Sequence, residues 1–240
     1  MGDVDAVTTP GEDPLRLAID TTGHGGAVIL ASGGRVLAEA IHDEAQGYAE
    51  HLFGLLDEVL VRAGVSRAEI EEIAVVGGPG SFTGLRIGVM TAKTLAATLG
   101  RPLRAAGTLP LIASAATGPG IALANAGGGC VWRLDFEGPA PVGDAVVRRV
   151  EIGDLPGSAD LFTSDRRLVE TLTASGRAVH TTPSLARLLV AARAADHPSV
   201  VEVDAEAYVP EYVSPSQAER VHGVDLTEEL ARPIRPRGWD

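Results

Sequence analysis

Cysteine is nearly absent, with Cys130 the single one in 240 residues. A lone thiol excludes an internal disulfide and leaves too few ligands for a cysteine-based zinc site. Long apolar runs are also missing, and none approaches the ~18 residues of a membrane span. The first twenty residues show no basic stretch followed by an apolar core, so no secretory leader is expected and the expected compartment is the cytoplasm. Positive charge is scarce, with 20 Lys and Arg against 32 Asp and Glu, a net charge of −12. Nucleic-acid affinity comes mainly from cations that displace counterions from phosphates, so this chain is not expected to grip RNA or DNA alone. What is plentiful is apolar, at 45% of residues. That predicts a packed globular protein, large enough for one domain or two lobes.

Residues 1–14 are acidic and rich in Gly, Pro and Thr, and read as a loose tail. Leu15 to Asp20, Gly26 to Ser32 and Arg35 to His42 read as three strands, with Gly33-Gly34 supplying a tight turn. The period then changes. Tyr48, Leu52, Leu55, Leu56, Val59, Leu60 and Ala63 share one helical face between Gln46 and Gly64. Ile73 to Gly77 is a fourth strand, and Ser81 to Leu99 a long helix closed by Gly100. Hairpins followed by helical crossovers imply a mixed sheet with helices packed on it. A second α/β lobe is expected from Thr108. Its helices fall at Leu109 to Ala116, Arg166 to Ser175 and Ser184 to Ala195. Its strands fall at Ile121 to Ala126, Val131 to Phe136, Ala145 to Ile152 and Arg177 to Thr181.

The stretch "VVGGPGSFTGLRIGVMTAK", Val75 to Lys93, joins a strand to a helix through glycines. It fails the phosphate-gripping Walker spacing, because Pro79 stands five before Gly84 and Leu85 follows. It fails the dinucleotide fingerprint, which needs a glycine at Thr83. It fails the nucleophile elbow, which needs a glycine where Pro79 stands. Ser81 is better read as a helix N-cap. Within the helix, Gly84, Gly88, Ala92 and Ala96 recur every four residues and form a small-residue stripe that invites a close neighbour. Arg86 and Lys93 exclude a membrane, so the neighbour is either this chain's own first helix or another subunit. Two glycines inside a helix, each costing about 1 kcal/mol against alanine, imply a packing demand.

"GGPGSFTGLRIGVMTAK" resembles the signature of the TsaB (YeaZ) family. The opening "LAIDTTGHGGAVIL" and the segment "GYAEHLFGLLDEVLVRAGVSRAEIEEIAVV" resemble that family's first hairpin, first helix and fourth strand. The tail segment "AYVPEYVSPSQAER" resembles its closing segment more faintly. The resemblance is strong from Leu15 to Pro102. It implies an actin-like, sugar-kinase-like fold of two lobes, each an RNase H-like mixed sheet with helices. The lobes would span 15–107 and 108–210, with 211–240 partly returning to the first lobe. It also implies a non-catalytic subunit that binds and activates a TsaD-type enzyme, which installs threonylcarbamoyl on the adenosine beside the tRNA anticodon. The implied partners are a TsaD-like subunit, a TsaE-like ATPase, a second copy of the chain when the partner is absent, and tRNA only through the complex. No cofactor of its own is implied, ATP entering at the level of the complex. The implied interface is helical, with Tyr48, Leu52, Leu55, Gly84, Gly88, Ala92 and Ala96 as candidates. Gly78, Pro79, Gly80, Ser81, Phe82 and Gly84 form the signature turn.

The chain departs from the family's pattern where His-Ser-Glu usually opens the first helix; here Tyr48, Ala49 and Glu50 stand. TsaD-type proteins carry two histidines four apart on a helix, and His24, His42, His51, His180, His197 and His222 offer no such pair. A metal site is therefore not expected, and a glycopeptidase finds neither metal nor nucleophile. Asp20, Thr21 and Thr22 resemble the superfamily's first phosphate loop. "NAGGG" has the shape of the second, but Asn125 replaces the carboxylate that helps hold magnesium. A hairpin turn is the plainer reading of those glycines. Two classes stay open beside the weak peptidase reading: a scaffold for a TsaD-like enzyme, and a small actin-like ATPase or kinase with a residual nucleotide site.

Overall fold

The computed structural model describes residues 13–23, 25–42, 48–138 and 147–210. The expected N-terminal tail up to residue 12, the start of the first helix at Gln46, the expected strand start at Ala145 and the segment 211–240 lie outside the described residues.

Two mixed sheets make up the molecule. The first contains β1 (Leu15–Asp20), β2 (Gly26–Ser32), β3 (Arg35–His42), β4 (Glu72–Val76), β5 (Leu103–Ala106) and β11 (Val200–Val203). They lie in the order β11-β5-β4-β1-β2-β3. β1, β2 and β3 are antiparallel neighbours, while β4 and β5 run parallel to β1. The second sheet contains β6 (Gly120–Gly127), β7 (Cys130–Phe136), β8 (Arg148–Glu151), β9 (Leu161–Thr163) and β10 (Val179–Thr181), in the order β10-β9-β6-β7-β8. Its directions repeat the first: β6, β7 and β8 are antiparallel neighbours, and β9 and β10 are parallel. Each sheet thus reads 3-2-1-4-5 in its own numbering, the arrangement expected for a pair of RNase H-like lobes. Strands whose two faces are both covered read as continuous apolar runs rather than alternating ones. β1 is such a strand, with Leu17 and Ile19 facing the helix side and Ala18 facing the other sheet.

Helices α1 (Tyr48–Ala63) and α2 (Phe82–Leu99) cover the outer face of the first sheet, burying Leu52, Leu56, Val59, Leu60, Val89, Ala92 and Ala96. Helix α4 (Arg166–Ala174) covers the outer face of the second through Leu168 and Leu172. Two helices sit between the sheets and cross over. α3 (Thr108–Ser114) follows β5 yet packs on β6 and β7 of the second sheet, while α5 (Leu185–Ala194) follows β10 yet packs on β1, β2 and β4 of the first. One shared core therefore runs between the lobes. The expected second-lobe range, 108–210, contains α5 and β11, which both belong to the first sheet's surroundings; β11 pairs antiparallel with β5.

α5 is fixed to the first sheet by charge as well as by packing. Glu72, 4% exposed on β4, receives Arg16 Nε at 3.2 Å, Arg104 Nε at 3.3 Å and Arg193 Nε at 3.1 Å. Arg193 lies on α5, and six residues earlier Arg187 pairs with Glu39 of β3. A carboxylate this buried is tolerable because three guanidinium groups replace its water.

Candidate functional site

The turn between β4 and α2 is held from both sides. Gly77 N–H donates to Ala106 O at 2.8 Å, and Gly78 O accepts from Thr108 N–H at 2.6 Å. Gly78 has φ 112°, a backbone only glycine adopts readily, and precedes Pro79 through a cis bond. Ser81 N–H donates to Thr22 O at 2.8 Å. Its hydroxyl accepts from Gly84 N–H at 3.3 Å, the N-cap role expected from the sequence. At the far end Gly100, φ 62°, closes α2 as a left-handed cap.

The small-residue stripe of α2 is filled from within its own lobe. A Cβ on Gly84 would come closer than 3.0 Å to Thr21 O, and one on Gly88 closer than 3.0 Å to Thr21 Oγ1. Thr21 Oγ1 donates to Gly84 O at 2.7 Å. Ala92 and Ala96 are buried under α1 and the sheet. The expectation that Gly84, Gly88, Ala92 and Ala96 meet another subunit is therefore corrected: the close neighbour is the loop after β1. Leu52 is buried, Leu55 is half-buried against the same core, and Tyr48 opens α1. Exposed residues lie on the opposite faces, with Phe53, Asp57 and Val61 along α1 and Thr83, Arg86, Met90, Thr94 and Ala97 along α2.

The signature turn and both suspected phosphate loops converge on one cavity of about 360 Å³ between the sheets. Thr22 and Gly23 enter after β1, Pro79 to Phe82 after β4, Thr108 after β5, Asn125 at the end of β6, and Thr163 to Asp165 after β9. The carboxyl ends of parallel strands are where open α/β sheets bind ligands. Asn125 Oδ1 accepts from Gly127 N–H at 2.8 Å, and Gly127, Gly128 and Gly129 all have positive φ, so the glycine run is the hairpin turn of β6 and β7. Asp20 lies in an adjoining cavity of about 420 Å³ that shares Gly23, Ser164, Asp165 and Leu185 with the first. Burial holds the Asp20 carboxyl above the usual carboxylate range, opposed by hydrogen bonds from Thr22 N–H at 2.9 Å and Thr22 Oγ1 at 2.7 Å.

Sequence reasoning did not find Thr108, Trp132, Thr163 or Asp165, because Thr108, Thr163 and Asp165 each sit alone at an element's end, Trp132 lies within β7, and only the tertiary fold gathers them. It also kept the histidines apart. In the structure His42 of β3 and His51 of α1 stack with ring centroids 4.4 Å apart, and His180 pairs with Asp160 at 2.9 Å. Among the described residues no three His, Cys, Asp or Glu side chains come together as metal ligands, and no helix is long and apolar enough to cross a membrane.

Known proteins match this architecture and this stretch of sequence. Residues 35–132 match the model of TsaD, tRNA N6-adenosine threonylcarbamoyltransferase. A Rhizobium etli protein of that name is 44% identical over 61 residues, 25% of this chain and 17% of that protein. The Bacillus subtilis tRNA threonylcarbamoyladenosine biosynthesis protein TsaB is 34% identical over 98 residues, 41% of this chain and 43% of that protein. The chain thus spans less than half the length of these curated relatives. In fold, YeaZ from Pseudomonas aeruginosa superposes with a TM-score of 0.63 at 22% identity, covering 83% of this chain and all of that one. The chain is TsaB/YeaZ-like in fold and similar to both TsaB and TsaD in sequence, so the resemblance read from its residues is borne out.

Proposed function

We propose that this chain is a non-catalytic accessory subunit that binds and activates a TsaD-type threonylcarbamoyltransferase acting on the adenosine beside a tRNA anticodon. The observation that carries this reading is where exposed apolar surface lies. Of the six exposed large hydrophobic residues among the described residues, Ile41, Phe53, Val61 and Met90 fall on β3, α1 or α2, inside the stretch that the TsaD model matches, while Val201 and Val209 lie outside it. The inner faces of α1 and α2 are already filled by their own lobe. An apolar stripe left on the outside of two helices has the chemistry of a subunit contact. The sequence match covers 43% of the Bacillus subtilis TsaB protein against 17% of the Rhizobium etli TsaD protein, which supports the accessory role over the catalytic one.

In this reading the same outer face pairs two copies when the partner is absent. tRNA is reached only through the complex, and ATP enters with a TsaE-like ATPase. The test is co-elution with the TsaD-type protein of the same cell. Phe53→Glu combined with Met90→Glu should abolish association, since central apolar anchors carry about 2 kcal/mol or more each, roughly thirtyfold in affinity. Both side chains are exposed, so the variant should melt as the parent does. A well-folded double variant that still co-elutes would remove this face from the interface.

A further inference from the structure

The cavity between the sheets has a polar lining that the chain leaves unsatisfied. Thr108 is 2% exposed, and its hydroxyl has no hydrogen-bond partner among the described residues. Thr163 is fully buried; its Oγ1 accepts from Asp165 N–H at 3.2 Å, while its own proton is donated to no described group. The Asn125 carbonyl is used by Gly127 N–H, and its amide N–H groups donate to no described residue. Buried polar groups in folded proteins are rarely left unpaired. Two buried hydroxyls, Thr108 and Thr163, with the half-buried Asn125 amide beside them on one cavity, call for an occupant that offers acceptors.

The charge of the lining decides which occupant. No Lys or Arg lines the cavity among the described residues. Its one carboxylate, Asp165, spends Oδ1 on the N–H groups of Arg167 and Leu168 at 2.9 and 3.2 Å. Beyond the shared wall the adjoining cavity carries Asp20 and Glu170 together with Arg166 and Arg167. Within the first cavity itself a phosphate or carboxylate would meet Asp165 with no Lys or Arg of the lining to answer it, an electrostatic penalty. Apart from the hydroxyls of Thr22, Ser81 and Ser164, the rest of the wall is apolar and partly aromatic, with Trp132, Phe82, Pro79 and Leu185. Aromatic and apolar walls with a few placed donors take flat, uncharged molecules. We propose that this cavity binds a small uncharged heteroaromatic molecule, such as a nucleobase or nucleoside without phosphates, whose edge acceptors meet Thr108, Thr163 and Asn125. The site is independent of the outer helical face.

The test is titration of the full chain with adenine, adenosine and uridine, and separately with ATP and Mg²⁺, read by thermal shift and by tryptophan fluorescence. At least one of the three uncharged probes should bind saturably, at least tenfold tighter than ATP with Mg²⁺. The fluorescence response should vanish in Trp132→Phe while the thermal shift persists. Thr108→Val should weaken binding about tenfold, the loss of one buried hydrogen bond. Because that hydroxyl has no partner among the described residues, the unliganded variant should melt no lower than the parent. Saturation by none of the three probes, tighter binding of ATP with Mg²⁺, or undiminished affinity in a folded Thr108→Val variant would each overturn the proposal. Fluorescence quenching retained in Trp132→Phe would place any ligand elsewhere and also overturn it.

Discussion

Adding one methyl group at Gly88 should unfasten the loop behind β1 from helix α2. The new Cβ would fall closer than 3.0 Å to Thr21 Oγ1, nearer than real Cβ atoms approach their neighbours. Thr21 must therefore leave its place and give up its 2.7 Å hydrogen bond to Gly84 O. Overpacking costs about 1–3 kcal/mol, and a buried polar group left unpaired costs another 1–3 or so. Alanine's better helix propensity returns about 1 kcal/mol. The balance is a destabilisation of about 2–4 kcal/mol, and at roughly 2–4 °C per kcal/mol for a chain of this size the melting temperature should fall by about 5–15 °C. The clash is with a side chain, so Thr21→Ala in the same molecule should restore part of the loss, with a coupling of about 1–3 kcal/mol. Gly84→Ala meets the backbone oxygen of Thr21 instead, and Thr21→Ala should not rescue it. Thermal melts of the three single and two double variants decide the matter. A Gly88→Ala variant that melts higher than the parent would show that helix propensity wins and that the stripe is not filled by Thr21.

Three further outcomes follow from the same geometry. Glu72→Gln leaves Arg16, Arg104 and Arg193 without their shared carboxylate and should destabilise the fold by about 3–5 kcal/mol, measured by chemical denaturation; an unchanged midpoint would mean the cluster holds nothing. Lys93, the chain's single lysine, donates to Glu206 O at 3.1 Å and Tyr208 O at 2.8 Å. Lys93→Met should cost about 1.5–3 kcal/mol and speed proteolysis beyond β11, and equal cleavage rates would count against the clamp. Asp20 has its folded pKa raised by burial, so its contribution to stability is complete below the ordinary value of 3.8 and is lost as pH rises through the raised pKa. Asp20→Asn should therefore melt higher than the parent at neutral pH, with the gap closing as pH falls toward 3.8; a lower melt at neutral pH would show that the Thr22 hydrogen bonds outweigh desolvation.

The first lobe was legible because its signals are local. The apolar runs of β1 and β2, the helical period of α1, the Ser81 N-cap and the Gly100 C-cap each act within a few residues and survive into the fold. What the sequence hid depends on distant partners. β5 is four residues with Arg104 in the middle, an unpromising strand until Glu72 is placed beside it. β9 has three residues, too few for a period to show, whereas β10 falls within the expected strand Arg177 to Thr181. The crossing of α3 and α5 onto the opposite sheets depends on faces that recognise each other only after both sheets exist. The stripe of α2 shows the same limit, since four-residue spacing announced a close neighbour but not that Thr21, 63 residues before Gly84, would fill it. Of the cavity's hydroxyls, Thr22 and Ser81 were marked by their motifs, while Thr108 and Thr163 carried no signal, because each lies at the end of a separate element that only the fold brings to the cavity.

Reconstituted tRNA modification tests the accessory role most directly. The TsaD-type enzyme of the same cell, its threonylcarbamoyl donor and tRNA are assayed for threonylcarbamoyladenosine without this chain, with it, and with its Phe53→Glu, Met90→Glu form; the chain is also assayed without the enzyme. The account predicts modification only when enzyme and parent chain are both present, and background levels with the outer-face variant or with either protein alone. Modification by this chain in the absence of the TsaD-type enzyme, lost on Asp20→Ala, would contradict it and make the chain a catalyst.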